Sequence, residues 1–176
     1  MRNGGKVHDN YPVNPLIQYT IAQFEEIQEG YPWVGSSYAS KLSKVDESLF
    51  FERPLEGLHS IAATISHLTF WRKEALLKIK TGKGSKTDDC PENWLPNDIL
   101  KQKGWEQIQK EYDDTLAELI TLLQDKEDAF LSQTYYDTDF KGDYPYSFLI
   151  NGMLHHDVYH LGQLGLIIKF LKEKNA

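Results

Sequence analysis

The chain has 176 residues, 40% apolar and 12% aromatic, which points to one packed domain rather than a disordered chain. Its formal net charge of −7 argues against a nucleic-acid backbone as the main partner, because a polyanion asks for a basic face. The lone cysteine, Cys90, excludes an intrachain disulfide, no apolar run behind Met1–Lys6 marks a signal peptide, and no stretch reaches the roughly 20 apolar residues of a membrane span, so a soluble cytoplasmic protein is expected.

Residues 1–12 are polar and glycine-bearing and read as a loose arm, leaving 13–176 as a single domain. The first helix runs from about Pro15 to Glu29. Asn14 suits its N-cap and Pro15 its first position. Leu16, Tyr19, Ile21, Phe24 and Ile27 form its apolar stripe, and Gly30 stops it. A loop with Tyr31 and Trp33 follows, then a short helix over about 37–42 and a single turn over 45–49, broken at Arg53-Pro54. A second long helix, capped by Ser60, carries Ile61, Ile65, Leu68, Leu76 and Ile79 at helical steps and ends near Lys80. Residues 81–98 are rich in Gly, Asp and Pro and form the longest break.

The third long helix covers about Asp98 to Gln124, with Trp105, Ile108, Tyr112, Leu116, Leu119, Ile120 and Leu123 inward. Residues 125–145, dense in Tyr, Asp and Gly, form another break; its aromatic-acidic segment Tyr135-Tyr136-Asp137-Thr138-Asp139-Phe140, with Tyr144 and Tyr146, reads as a lid on the bundle end in preference to the lining of a pocket mouth. The fourth long helix runs from about Tyr146 to Lys172. No strand pattern stands out, so the expected fold class is all-α, a four-helix bundle. Gly162 and Gly165 inside the last helix cost about 1 kcal/mol each against Ala, which predicts a close approach by another helix of this chain or of a second subunit.

Of six histidines, His156 and His160 stand four apart on the last helix and share a face. Two imidazoles so placed can hold one metal ion from one side, or simply sit as polar residues at the rim of the apolar stripe. On the helical wheel both lie at the margin of the buried face, as does His67 on the second long helix. Neutral imidazoles there need hydrogen-bond partners, or the three can share a cation. His8, His59 and His155 read as structural or surface residues. Gln163 lies three after His160 and seven after His156, on their face, placed to bond a ligand or a substrate. Trp71 and Glu74 lie four and seven after His67. Trp71 reads as pocket wall or core. Glu74 is a candidate orienter or general base, although a solvated charge one turn too far is the preferred reading. Cys90 has no ligand spacing to any histidine and is not taken as a nucleophile.

Three stretches resemble the DinB-like (YfiT-like) superfamily of four-helix bundles, which is unrelated to the DNA polymerase sharing its name. They are Trp33-Val34-Gly35-Ser36-Ser37 with Leu42 and Val45-Asp46-Glu47; Arg53-Pro54 through Leu58-His59-Ser60-Ile61 to Ile65-Ser66-His67-Leu68-Thr69-Phe70-Trp71; and His155-His156-Asp157-Val158-Tyr159-His160-Leu161-Gly162-Gln163-Leu164. The third is the most specific. The resemblance implies a divalent metal held by three histidines, here His67, His156 and His160. It also implies a homodimer and, in some relatives, thiol-dependent S-transfer or hydrolysis on a small-molecule substrate. Relatives often carry Arg directly after the last ligand, where this chain has Leu161; that removes a charge near the site but no ligand.

Three neutral imidazoles leave an open position and a full +2 charge, the pattern of a catalytic zinc site. Zinc is the first expectation for the metal, with nickel and iron also compatible with nitrogen donors. The expected function is a metal-dependent enzyme, a thiol S-transferase or a hydrolase. The competing reading is a non-catalytic dimeric helical module that binds a small molecule and keeps a structural or vestigial metal site.

Overall fold

The computed structural model describes residues 14–175; the arm expected over 1–12 lies outside them. Four long helices make the frame: α1 (Pro15–Gln28), α3 (Ile61–Thr81), α5 (Trp105–Gln124) and α6 (Tyr146–Lys174), with the short α2 (Tyr38–Leu42) and α4 (Asn97–Lys103) between them. Helix α3 packs on both α5 and α6, and α1 closes the other side against the same two helices. Phe24, Ile65, Leu68, Leu119 and Leu164 lie in the shared core. The fold is all-α with one small hairpin. Among the described residues no helix is long and apolar enough to cross a membrane.

The Ser60 signal for α3 holds, and α2 starts in the same way. Ser37 Oγ accepts from the Ser40 N–H and Ser60 Oγ from the Ala63 N–H, each taking one of the orphan donors of a helix start. Gly82 ends α3 in the left-handed region, with φ at 73°. At α1 the signal misleads. The Asn14 side chain makes no cap; it donates to the Lys126 carbonyl at 3.0 Å. The cap comes from across the bundle, where the Asp128 carboxylate accepts from the N–H groups of Leu16 and Ile17. The helix is also rotated from the expected stripe. Leu16 and Tyr19 are exposed, and Ile17 takes the buried place beside Ile21, Phe24 and Ile27.

The third long helix is two. Gly104, at φ 81° and ψ 152°, separates α4 from α5, a conformation that an L side chain rarely adopts. The break over 125–145 holds a hairpin: β1 (Thr134–Asp137) pairs antiparallel with β2 (Gly142–Pro145), Tyr135 facing Tyr144. Two strands of four residues are too short for alternation to show in the sequence. The hairpin is pinned to the loop after α3, since the Tyr136 N–H donates to the Gly82 carbonyl and the Gly84 N–H to the Tyr136 carbonyl, each at 2.9 Å.

Among the described residues, no other helix makes the expected close approach to the α6 glycines. A Cβ at Gly162 would meet nothing within 4 Å, and one at Gly165 would meet only the flexible end of Lys41.

Candidate metal centre

Helix α6 carries His156 and His160 one turn apart, and α3, packed alongside, carries His67. Tertiary packing brings the three imidazoles together. Their ligand-competent nitrogens all lie within 4.8 Å of one another, the single such group of His, Cys, Asp or Glu among the described residues. His156 Nε2 is 3.0 Å from His67 Nε2 and 2.9 Å from His160 Nε2. His67 and His160 are buried, and His156 is half-buried.

The far nitrogens decide what the near ones can do. His67 Nδ1 is 3.2 Å from the Asn93 carbonyl, which only accepts, so Nδ1 carries the hydrogen. His160 Nδ1 is 2.7 Å from the amide oxygen of Gln163, which imposes the same tautomer. Both rings therefore aim an Nε2 lone pair at His156 Nε2. That atom either carries one hydrogen, which can be directed squarely at only one of the two lone pairs, or presents its own lone pair to both, so the three nitrogens cannot all be satisfied by hydrogen bonds among themselves. A proton is a poor remedy. Burial lowers all three imidazoles from their ordinary range, with the neighbouring imidazoles adding to it, to about 3 for His156 and about 4 for His160. A cation at the focus resolves the conflict, and neutral nitrogen donors fixed by acceptors behind them suit a divalent one.

Trp94 holds His67 in its plane. The indole stacks on the His67 ring at 3.8 Å between centroids, and His59 stacks on its other face at 3.6 Å. The imidazoles open onto a cavity of about 760 Å³, a size that suits a small molecule. Trp71, Met153, Phe148 and Tyr159 contribute apolar wall, and the hairpin side contributes Tyr135, Asp137, Asp139 and Phe140. The aromatic-acidic segment thus lines the pocket as well as covering the bundle end.

Gln163 is bonded to one ring of the triad, its Oε1 2.7 Å from His160 Nδ1. Glu74 does not reach the imidazoles. Its carboxylate is buried on the hairpin side of α3, accepting from the Ser85 N–H at 2.7 Å and the Ser85 hydroxyl at 3.1 Å, with Lys78 Nζ at 3.9 Å. That placement serves the anchoring of the loop after α3. His155 is exposed, and His8 lies outside the described residues. Cys90 is half-buried and precedes the turn Pro91–Trp94 without capping it through its side chain; its Sγ accepts from the Thr87 N–H instead. Leu161 is buried in the core. Asn93 and Trp94 carry no signal in the sequence, because no periodicity marks a residue between helices that meets α3 only after folding.

The sequence model described as the DinB superfamily matches residues 36–164. A comparison with curated proteins finds no match. Among solved structures, the chain is similar to a mutant of the mycothiol-dependent maleylpyruvate isomerase, at 16% identity and a TM-score of 0.51, over 89% of this chain and 63% of that one. This chain thus spans less than two thirds of that protein, and at such identity the likeness is one of fold.

Proposed function

The chain belongs to the DinB superfamily, and from that premise we propose that it is a metal-dependent enzyme in which a low-molecular-weight thiol is the nucleophile. His67, His156 and His160 would hold one divalent ion, zinc in first place and nickel or iron after it. When bound, the ion supplies Lewis acidity that ionises a thiol or water at its open position. The observation that carries the reading is the convergence of three Nε2 atoms, two of them with lone pairs fixed toward the same point.

The chain's own residues supply the rest. Asn93 and Gln163 hold the rings' tautomers, and Trp94 holds the plane of His67. Trp71, Phe148, Met153 and Tyr159 offer an apolar surface for the carbon skeleton of an electrophile and keep water from it. The fold likeness to a mycothiol-dependent enzyme favours a thiol over water as nucleophile. We place the reaction in the cytoplasm, where such thiols stay reduced, and in a homodimer, which light scattering on the purified protein tests.

The test of the whole reading begins with metal analysis of protein purified without a nickel column. One divalent ion per chain is expected in the wild type and a large loss in His160→Ala. Wild-type protein with its metal should then form a carbon–sulfur bond between a low-molecular-weight thiol and a halogenated electrophile, breaking the carbon–halogen bond and releasing halide and the thiol proton to solvent, and chelation should stop the halide release. Absence of stoichiometric metal, together with unchanged metal affinity in His160→Ala, overturns the proposal. Metal without any open position would favour a structural site in a non-catalytic module.

A further inference from the structure

Beneath the imidazoles lies an ion pair that the proposed chemistry does not use. Arg72 and Asp157 are 2% and 1% exposed, and Arg72 Nη2 donates to Asp157 Oδ2 at 2.7 Å. The same guanidinium donates from Nη1 to Gln28 Oε1 at 2.8 Å and from Nη2 to the Tyr112 hydroxyl at 3.1 Å, and its carbon lies 4.1 Å from the centre of the Tyr112 ring. Tyr38 in turn donates to the Asp157 carbonyl at 2.7 Å. One side chain of α3 therefore touches the last residue of α1, the middle of α5 and the middle of α6.

Its location along the helices gives the pair its meaning. Asp157 follows His156 directly and precedes His160 by three residues, and Arg72 follows His67 by five, a rise of about 7.5 Å along α3. The pair joins the two helices that supply the imidazoles, within two turns of all three rings. Apolar packing between helices tolerates small slides and rotations, because many arrangements of Leu and Ile side chains bury similar area. A buried charge pair has far fewer acceptable arrangements, since any slip leaves a charge uncompensated in the core. Metal ligands tolerate errors of only about 0.2 Å.

We propose that Arg72 and Asp157 are positioning residues for the metal centre: they lock the register of α3 against α6 so that His67 meets His156 and His160. Gln28 and Tyr112 hold the guanidinium in the orientation that the lock requires. The inference rests on the metal-binding reading above.

The experiment compares Co²⁺ binding and the Co²⁺ d–d absorption spectrum in full-length wild type and in the double variant Arg72→Met/Asp157→Leu. Replacing both partners by apolar side chains leaves no buried unpaired charge and should preserve the helical fold. Expected is at least a tenfold loss of Co²⁺ affinity and an altered spectrum, in protein that still unfolds cooperatively. Leu123→Ala, a core change in α5 away from the pair, should lose stability while keeping wild-type affinity and spectrum. If the double variant does not fold, Tyr112→Phe removes the single contact at 3.1 Å, and several-fold weaker binding is expected. Wild-type affinity and spectrum in a folded double variant, or unchanged affinity in Tyr112→Phe, overturn the inference alone. Failure of the wild type to bind Co²⁺ overturns the metal-centre reading itself and this inference with it.

Discussion

Replacing Gln163 by Leu removes the acceptor behind His160 and nothing else that the fold depends on. The amide oxygen is 2.7 Å from Nδ1, and the side chain is half-buried at the pocket wall. Without it, the His160 hydrogen is free to move to Nε2, the atom that points at the other two rings, and in that tautomer the nitrogen cannot donate a lone pair to a metal. Partners of this kind typically contribute about 10- to 100-fold to metal affinity, roughly 1.4–2.7 kcal/mol. We expect that loss for Zn²⁺ in a competition titration against a chromophoric chelator at neutral pH, with folding stability within about 0.5 kcal/mol of wild type. Gln163→Glu keeps an acceptor, and a stronger one, so it should bind Zn²⁺ at least as tightly as wild type. Wild-type affinity in Gln163→Leu would refute the tautomer argument on which the metal centre rests.

Trp94→Ala removes the stack that holds His67 in plane, whereas His59→Ala removes only the outer layer of that stack; the first should weaken metal binding several-fold and the second little, and the reverse order in the same titration would contradict the positioning assigned to Trp94. Glu111 is pushed up by partial burial, but its hydrogen bonds to Lys103, Lys73 and Gln107 win and hold it down to about 2. A carboxylate so lowered stabilises the fold fully above its ordinary value near 4.5 and loses that contribution as the pH falls toward about 2. Denaturant melts should therefore show a shallower acid limb for Glu111→Gln than for wild type over this range. Gly162→Ala meets no neighbour within 4 Å, so a gain of up to about 1 kcal/mol from helix propensity should appear as a higher thermal midpoint; a lowered midpoint would place another surface against that glycine.

Much of the fold was legible because helices are written in local code. The Ser60 cap, the apolar steps from Ile61 to Ile79 and the Gly-rich break that follows Lys80 define α3 with no reference to the rest of the chain. Where the reading slipped, a distant residue had intervened. Asp128 took over the capping of α1 from Asn14, and packing turned Ile17 inward in place of Leu16 and Tyr19. The hairpin leaves no pattern because its strands are only four residues long, and what pins it is a loop some fifty residues earlier. Gly104 is the exception, a local signal passed over inside an otherwise helical run.

By itself, the sequence determined the four long amphipathic helices and the shared face of His156, His160 and Gln163, since each depends on spacing along one chain segment, and the likeness to the family, since that is carried by the residues of three stretches read in order. Only the tertiary structure decided that His67 meets the other two, that Asn93 and Gln163 assign the tautomers, that Glu74 turns to Ser85 and Lys78, and that Arg72 ties the helices together beneath the rings. Those facts depend on how far and at what angle α3 and α6 are packed, and a helical period carries no record of distance between one helix and another.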